Sequence, residues 1–500
     1  MKNPLRVIAM YLPQFHQIPE NDEWWGEGYT EWTAVKKTKS YFEKQIQPRV
    51  PLNENYYDLS QKKTMIWQES LMKKYNIYGL CFYHYYFKNG RRILEKPAEN
   101  LLKWTDIDIP FCFSWANETW ARSWSNVANS NTWNLKEKVN KTERDRGILL
   151  YQSYGFENEW KEHFDYLYPF FKDDRYIKID GHPVFLIYKP DQIPGLPRMM
   201  DYWKTLSKQC NIEYPIVIGT NTQRNIFEKK LQQEPNYTDL GKCFNHANFS
   251  DVVNAMVENA RIADEKTFLC ASPGYDDTPR RGEKGEEFKI APPEEFCKQM
   301  AVLIQESKCK GNEFLFLNAW NEWGEGMYIE PDTVFQYGYL EAVKKALSFN
   351  NSIEQKKSDH YVLRREIECK KMLYKSETSE RTLKKMIQIK SNGLSIKKFF
   401  SYHNIRAIVV YGKGLMAEWV IKELQEEVAI KAIMDRNTDV MLNFDLIRVI
   451  APNELTDNID AIVVTAVGSY DEIYYALKKK YDVPIFNFEE IADYILDCDA

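Results

Sequence analysis

Short, fully apolar runs recur along the chain with amphipathic stretches between them, and this alternation constrains the fold more than any other feature. RVIAMYLPQFH starts at Arg6, IYGLCFYHYY at Ile77 and IPFCFSWANE at Ile109. PVFLIYKP follows from Pro183, PIVIGTN from Pro215, FLCASPGYDD from Phe268 and FLFLNAWNEW from Phe314. A weaker candidate, KCFNHANF, begins at Lys242. Short apolar runs without alternation suit strands buried on both faces, as in a parallel sheet. Segments such as SQKKTMIWQESLMKKYN and PPEEFCKQMAVLIQESKC lie between them and carry helical periodicity. Eight strands alternating with helices over about 340 residues predict an α/β fold of the (β/α)8 barrel type.

The runs also end alike, apolar first and chemically equipped last. Gln14 and His16 close the first, His84 and Tyr85 the second, and Trp115, Asn117 and Glu118 the third. Tyr188, Asn221, Asp276 with Asp277, and Glu322 with Glu325 close later ones. Strand C-termini build the active site of such barrels, so these residues are expected to line it. Solvated loops favour Lys, Ser and Gly over Trp, His and Tyr.

Beyond about residue 350 the pattern changes. Residues 351–403 are helical in pattern and heavily charged, a linker with either a solvated or a partner-binding face. From 404, strand, glycine turn and helix follow one another, as in a small Rossmann-like α/β domain over 404–500. Gly412, Gly414 and Ala417 fit G-x-G-x-x-A, and Asp435 lies 18 residues further on. That spacing suits a nucleotide or sugar nucleotide held at a helix N-terminus, and equally a glycine turn kept for tight strand–helix packing.

The bulk composition excludes several classes. A net charge of -5 offers no field for a phosphate backbone, so nucleic acid is not an expected partner. Aromatics make up 14% of the chain; most must fill core, and the excess suits flat rings laid against sugars. Nine cysteines without a CxxC pair point to reduced thiols and a cytoplasmic location. The apolar N-terminal run is short and broken by Pro13, unlike a signal peptide. No stretch approaches the ~20 apolar residues of a membrane span, leaving peripheral membrane association open. His16 and His84 lack metal-ligand spacing, and no metal is expected.

The densest cluster is NAWNEWGEG, residues 318–326. Two carboxylates in an aromatic pocket can be driven to different protonation states, which glycosidic-bond chemistry requires. If the segment is helical, the spacing of Glu322 and Glu325 puts them roughly 5–6 Å apart on one face, near the ~5–5.5 Å of a retaining pair. Caps or arginine partners are the plain structural account of such a pair. The loop NDEWWGEGYTEW carries Trp24, Trp25, Glu31 and Trp32, to stack and hydrogen-bond sugars or to plug the barrel mouth. His84 and Tyr85 are candidates for hydroxyl binding, with a buried, satisfied His as the alternative. Asp276, Asp277 and Arg280 could grip a sugar or phosphate, or pair internally.

WNEWGEGMYIEPD resembles the W-N-E-W-x-E-G-x-x-x-E-P signature of the endo-α-mannosidase family of glycoside hydrolases (family 99) and its bacterial relatives. With YLPQFHQIPENDEWWGEGYTEWTAV, GHPVFLIYKP and PGYDDTPR, the chain looks most like WbsX-type glycosyltransferases of surface-polysaccharide gene clusters, over about residues 5–345. The resemblance implies a (β/α)8 barrel, no cofactor required by the barrel, and a role in O-antigen or capsule assembly. It implies that Glu322 deprotonates the sugar 2-hydroxyl, so that an anhydro intermediate forms, and that Glu325 is the general acid/base. Asn321, Trp323 and Glu330 of the signature are expected at the substrate. The hydrolases carry His where this chain has Gly324. The leading expectation is a glycosyltransferase acting on an oligosaccharide or lipid-linked glycan, with a sugar-nucleotide donor open. A retaining endo-acting hydrolase and a non-catalytic glycan-binding protein are the alternatives.

Overall fold

The computed structural model describes residues 4–43, 45–121, 147–235, 249–288, 290–349, 360–437, 447–454 and 458–498. The first six strands are β1 (Arg6–Tyr11), β2 (Gly79–Tyr86), β3 (Phe111–Trp115), β4 (His182–Ile187), β5 (Ile216–Thr220) and β6 (Lys229–Leu231). β7 is interrupted at Leu269, as Thr267–Phe268 and Cys270–Ala271, and β8 is Phe314–Leu317. Each pairs in parallel with its successor, and β8 pairs with both β7 and β1, which closes the barrel. β8 reads FLFL and is wholly buried, because one face fills the barrel and the other meets helices. Helix Pro293–Lys310, between β7 and β8, shows how the sequence sets its limits. Proline occupies its first position, where no N–H is needed, and Gly311 at φ 72° ends it.

The sixth strand departs from the expectation. KCFNHANF lies almost wholly outside the described residues, and the sheet uses Lys229–Leu231, separated from the end of β5 by only eight residues, with no helix between. Two lysines and a leucine make no apolar run.

A second sheet comprises β9 (Ala407–Tyr411), β10 (Ala429–Met434), β11 (Val449–Ile450), β12 (Ala461–Val464) and β13 (Ile485–Asn487). It is parallel, in the order β11-β10-β9-β12-β13, the Rossmann-like arrangement with its switch point between β9 and β12. Helix His360–Ser391 connects the two units.

The C-terminal domain docks on the barrel through ion pairs whose anions are largely buried. Barrel residues Arg198 and Arg224 meet Glu490 (2.9 Å) and Asp471 (2.5 Å). Arg381 and Lys385 of the connecting helix meet Glu489 at 2.6 and 2.8 Å. Cations stand on one side and anions on the other, so the interface specifies one orientation, since a wrong docking would leave buried charges unpaired. Among the described residues no helix is long and apolar enough to cross a membrane.

Candidate active site

Beyond β8 the chain folds back on itself. Asn321–Glu322 pairs antiparallel with Met327–Tyr328, and the turn Trp323–Glu325 joins them. Gly326 closes the turn at φ 64°, and a Cβ there would stand 2.7 Å from the Arg49 guanidinium. Neighbours divide the motif between support and cleft. Asn321 brackets the backbone of Leu12, accepting its N–H at 2.8 Å and donating to its carbonyl at 3.0 Å. Trp320 and Trp323 donate their indole N–H groups to Glu330 at 2.7 and 2.8 Å. Tyr57 and Gln68 donate to the same carboxyl at 2.7 and 2.8 Å. Burial raises Glu330 to about 7, against these four donors. Trp323 stacks on Tyr328, with ring centres 3.7 Å apart. Asn321, Trp323 and Glu330, expected at the substrate, thus anchor the turn from behind, leaving Glu322 and Glu325 to face the cleft. A strand and a tight turn carry these two, not the helix considered from their spacing.

Arg280 gathers the carboxylates. Its Nε donates to Glu31 at 2.6 Å and one terminal nitrogen to Glu322 at 2.9 Å, while the other pairs with Glu325. Glu31 is 1% exposed, Glu322 6% and Glu325 26% at the side chain. Burial raises Glu322 to about 8; Arg280 opposes this, and Glu325 and Glu31 add to it. Burial also raises Glu325, again against Arg280. One guanidinium faces three carboxyl groups, and Glu322, raised to about 8, keeps its proton at neutral pH. Gly324 makes room for the cluster. A Cβ at 324 would stand 1.7 Å from Glu31 Oε1 and 2.8 Å from Arg280 Nε. The Glu31–Arg280 pair therefore fills the space that any side chain at 324 would need.

The cleft at this mouth has a volume of about 910 Å³, at the upper end of the ~300–1,000 Å³ range of ligand sites. Of the residues singled out in the sequence, Gln14, Trp25, Glu31, Tyr85, Glu118, Tyr188, Asn221, Asp277, Arg280, Glu322 and Glu325 line it. Asp277 also binds Tyr275 and the Glu286 N–H, so it braces the wall it lines. Asn221 spends its amide on both backbone groups of Gln233. Burial raises Glu118, opposed by Lys189 at 3.9 Å.

The other candidates stand behind the wall. Trp32 donates to the Tyr57 carbonyl and packs on Phe15 and Trp323. Trp24 packs against Trp120, so the tryptophan-rich loop is partly plug and partly lining. His16 turns back to the Pro13 carbonyl at 2.9 Å. Asn117 brackets the backbone of Lys189. Asp276 accepts from Gln45, Gln47 and Thr278. His84 shares a hydrogen bond of 2.9 Å with His163, and burial lowers it to about 3. Trp115 donates to the Tyr86 carbonyl and meets the same His163.

Sequence reasoning missed Tyr83, Trp120, Lys189, Gln192 and Gln233, and also Glu377 and Arg381 of the connecting helix. For Tyr83 a signal existed. Successive side chains on a strand point to opposite faces, so His84 and Tyr85 could not both face the cleft, whereas Tyr83 and Tyr85 do.

In the C-terminal domain Gly412 has φ 105°, and a Cβ there would lie 2.7 Å from Thr465 Oγ1. Gly414 starts helix Leu415–Leu424 with nothing within 4 Å of its Cβ position. Asp435 accepts the Asn437 N–H, and Lys413 lies 3.9 Å away. Across the switch point, Gly468 packs against Lys375 of the connecting helix. Among the described residues no group of three or more His, Cys, Asp or Glu could hold a metal ion.

The uncharacterized protein WxcX of Xanthomonas campestris pathovar campestris, from each of two strains, is 29% identical over 365 residues. The match covers 69% of this chain and 50% of WxcX, so the chain spans about half the length of the curated relatives it matches. A solved glycoside hydrolase-like protein is similar at 12% identity and TM-score 0.45, over 69% of this chain and 95% of that one. The endo-α-mannosidase of Bacteroides thetaiotaomicron is similar at 14% identity and TM-score 0.40, over 73% and 98%. The model of the glycosyltransferase WbsX family matches residues 7–343, well over half of the sequence. The chain belongs to the WbsX glycosyltransferase family.

Proposed function

We propose that the protein makes or rearranges glycosidic bonds of bacterial surface polysaccharide, working in the cytoplasm as a glycosyltransferase that uses Glu322 and Glu325 as a pair. The observation that carries this reading is the convergence of both carboxyls on Arg280 inside the cleft at the strand C-termini. A buried pair that retains a proton supports general acid–base work at neutral pH. One carboxylate removes the proton of a sugar 2-hydroxyl as that oxygen closes on the anomeric carbon. The other carboxyl protonates the departing glycosidic oxygen. An acceptor hydroxyl then opens the anhydro sugar from the opposite face. It yields its proton to the second carboxylate, while the first carboxyl returns one to O2. Two inversions retain the anomeric configuration. By resemblance Glu322 takes the 2-hydroxyl proton. Because burial raises Glu322 to about 8, it must first give up its own.

A charge imbalance favours a second reading, action on an uncharged glycan without a nucleotide donor, as hydrolysis or glycan-to-glycan transfer. Among the described lining residues the carboxylates Glu31, Glu118, Asp191, Asp277, Glu286, Glu322, Glu325 and Glu377 outnumber the cations Lys189, Arg280, Arg281 and Arg381. That is a poor field for a diphosphate. Screening the protein by mass spectrometry against sugar nucleotides with glycan acceptors, and against oligosaccharides alone, tests both. Turnover that needs an activated donor supports the first reading. Free sugar or rearranged oligosaccharide without one supports the second, and no turnover in either screen counts against both.

A further inference from the structure

Two cleft residues come from neither the barrel nor its loops. Glu377 and Arg381 lie about one turn apart on helix His360–Ser391, and both line the cleft that holds Glu322 and Glu325. The strand order places them. β4 is four strands from β8 in an eight-stranded barrel, so the loops after these two strands face each other across the mouth. Arg381 donates to the backbone carbonyl of Asp191, in the loop after β4, at 3.2 Å. The connecting helix therefore forms the rim opposite the glutamate pair. Asp191 and Gln192 line the same rim.

The C-terminal domain holds this rim in place. Glu489, fully buried, grips Arg381 through both oxygens at 2.6 and 3.0 Å and also accepts from Lys385. Arg224 secures the loop after β4 from behind, donating to the carbonyls of Pro190 and Ile193 at 2.8 Å while pairing with Asp471. Arg381 still exposes 34% of its side chain, and Glu377 is exposed, with no ion-pair partner among the described residues. Carboxylate, amide and guanidinium groups converging on one concave wall are what sugar hydroxyls bind.

We propose that the connecting helix, held by the C-terminal domain, builds a distal sugar subsite across the mouth from the glutamates, so that the protein prefers glycans long enough to span the barrel. The inference rests on the reading of the cleft as a glycan site. Binding, rather than turnover, separates its failure from failure of the catalytic reading. Calorimetry on the full-length Glu325→Gln protein would use α-manno-, α-gluco- and β-N-acetylglucosamine oligosaccharides of one to four sugars. Affinity should rise with length in at least one series. Adding Glu377→Ala, Arg381→Ala or Glu489→Gln should weaken the four-sugar ligand about five- to tenfold, as expected for one lost hydrogen bond of ordinary net strength, and leave the one-sugar ligand unchanged. Glu377→Ala removes an exposed, unpaired side chain, so it tests the wall without disturbing domain docking. Equal weakening at every length, no effect of Glu377→Ala or Arg381→Ala, or no binding by any series would overturn the inference. Turnover retained by Glu325→Gln would instead sink the catalytic reading and leave the subsite standing.

Discussion

Glu322→Gln should stabilise the protein, and more so as the pH rises. The Glu322 carboxyl is raised from 4.5 to about 8 on folding, with the pull of Arg280 already included. A carboxyl raised in this way binds its proton more tightly in the native state than in the unfolded chain, so native stability falls as pH climbs through that interval. At about 1.4 kcal/mol per pH unit, the whole interval costs about 5 kcal/mol. The same relation leaves about 3 kcal/mol at pH 7 and about 1 kcal/mol at pH 5. Glutamine keeps the shape and cannot ionise, so the variant escapes the cost. Urea unfolding followed by tryptophan fluorescence at pH 5 and pH 7 should show the gain over the parent protein growing by about 2 kcal/mol. A variant less stable than its parent by the same amount at both pH values would refute the reasoning, and would mark Glu322 as an ordinary structural partner of Arg280.

Other consequences follow from the same site. If Glu322 is the base, kcat/KM should rise about tenfold per pH unit up to about 8; a profile falling over that range would give it the acid role. Gly324→Ala should displace Glu31 and Arg280, because its Cβ would sit 1.7 Å from Glu31 Oε1, and should cost about 1–3 kcal/mol. Adding Glu31→Ala should recover part of that loss, and a strictly additive double variant would contradict the packing argument. His84, lowered to about 3 beside His163, makes stability fall as pH drops from about 6.5 toward 3, because the unfolded chain takes up the proton first. A His84→Phe variant should lose part of that acid sensitivity in denaturant titrations.

Most of the barrel was legible because strands buried on both faces must be predominantly apolar, and seven of its eight strands are. β6 was not legible, since half-buried Lys229 and Lys230 carry no such mark. In the site, residue type said where chemistry gathers but not which side of a wall each side chain takes. Glu322, Glu325 and Arg280 converge, whereas Trp323 and Glu330, equally prominent in the motif, are bound to each other in the core. Nothing local could show that Glu377 and Arg381, far along the chain, reach the mouth; a docking interface puts them there.

The central claim is that Glu322 and Glu325 act together on a glycosidic bond. Its most direct test is turnover per folded molecule by the parent protein, Glu322→Gln, Glu325→Gln and the double variant, on whichever glycan or donor the screen reveals. Residues acting as a unit are grossly non-additive, so each single variant should lose about a thousandfold or more, with the double variant scarcely slower than either. Activity preserved in both single variants, or losses that multiply in the double, would contradict the account.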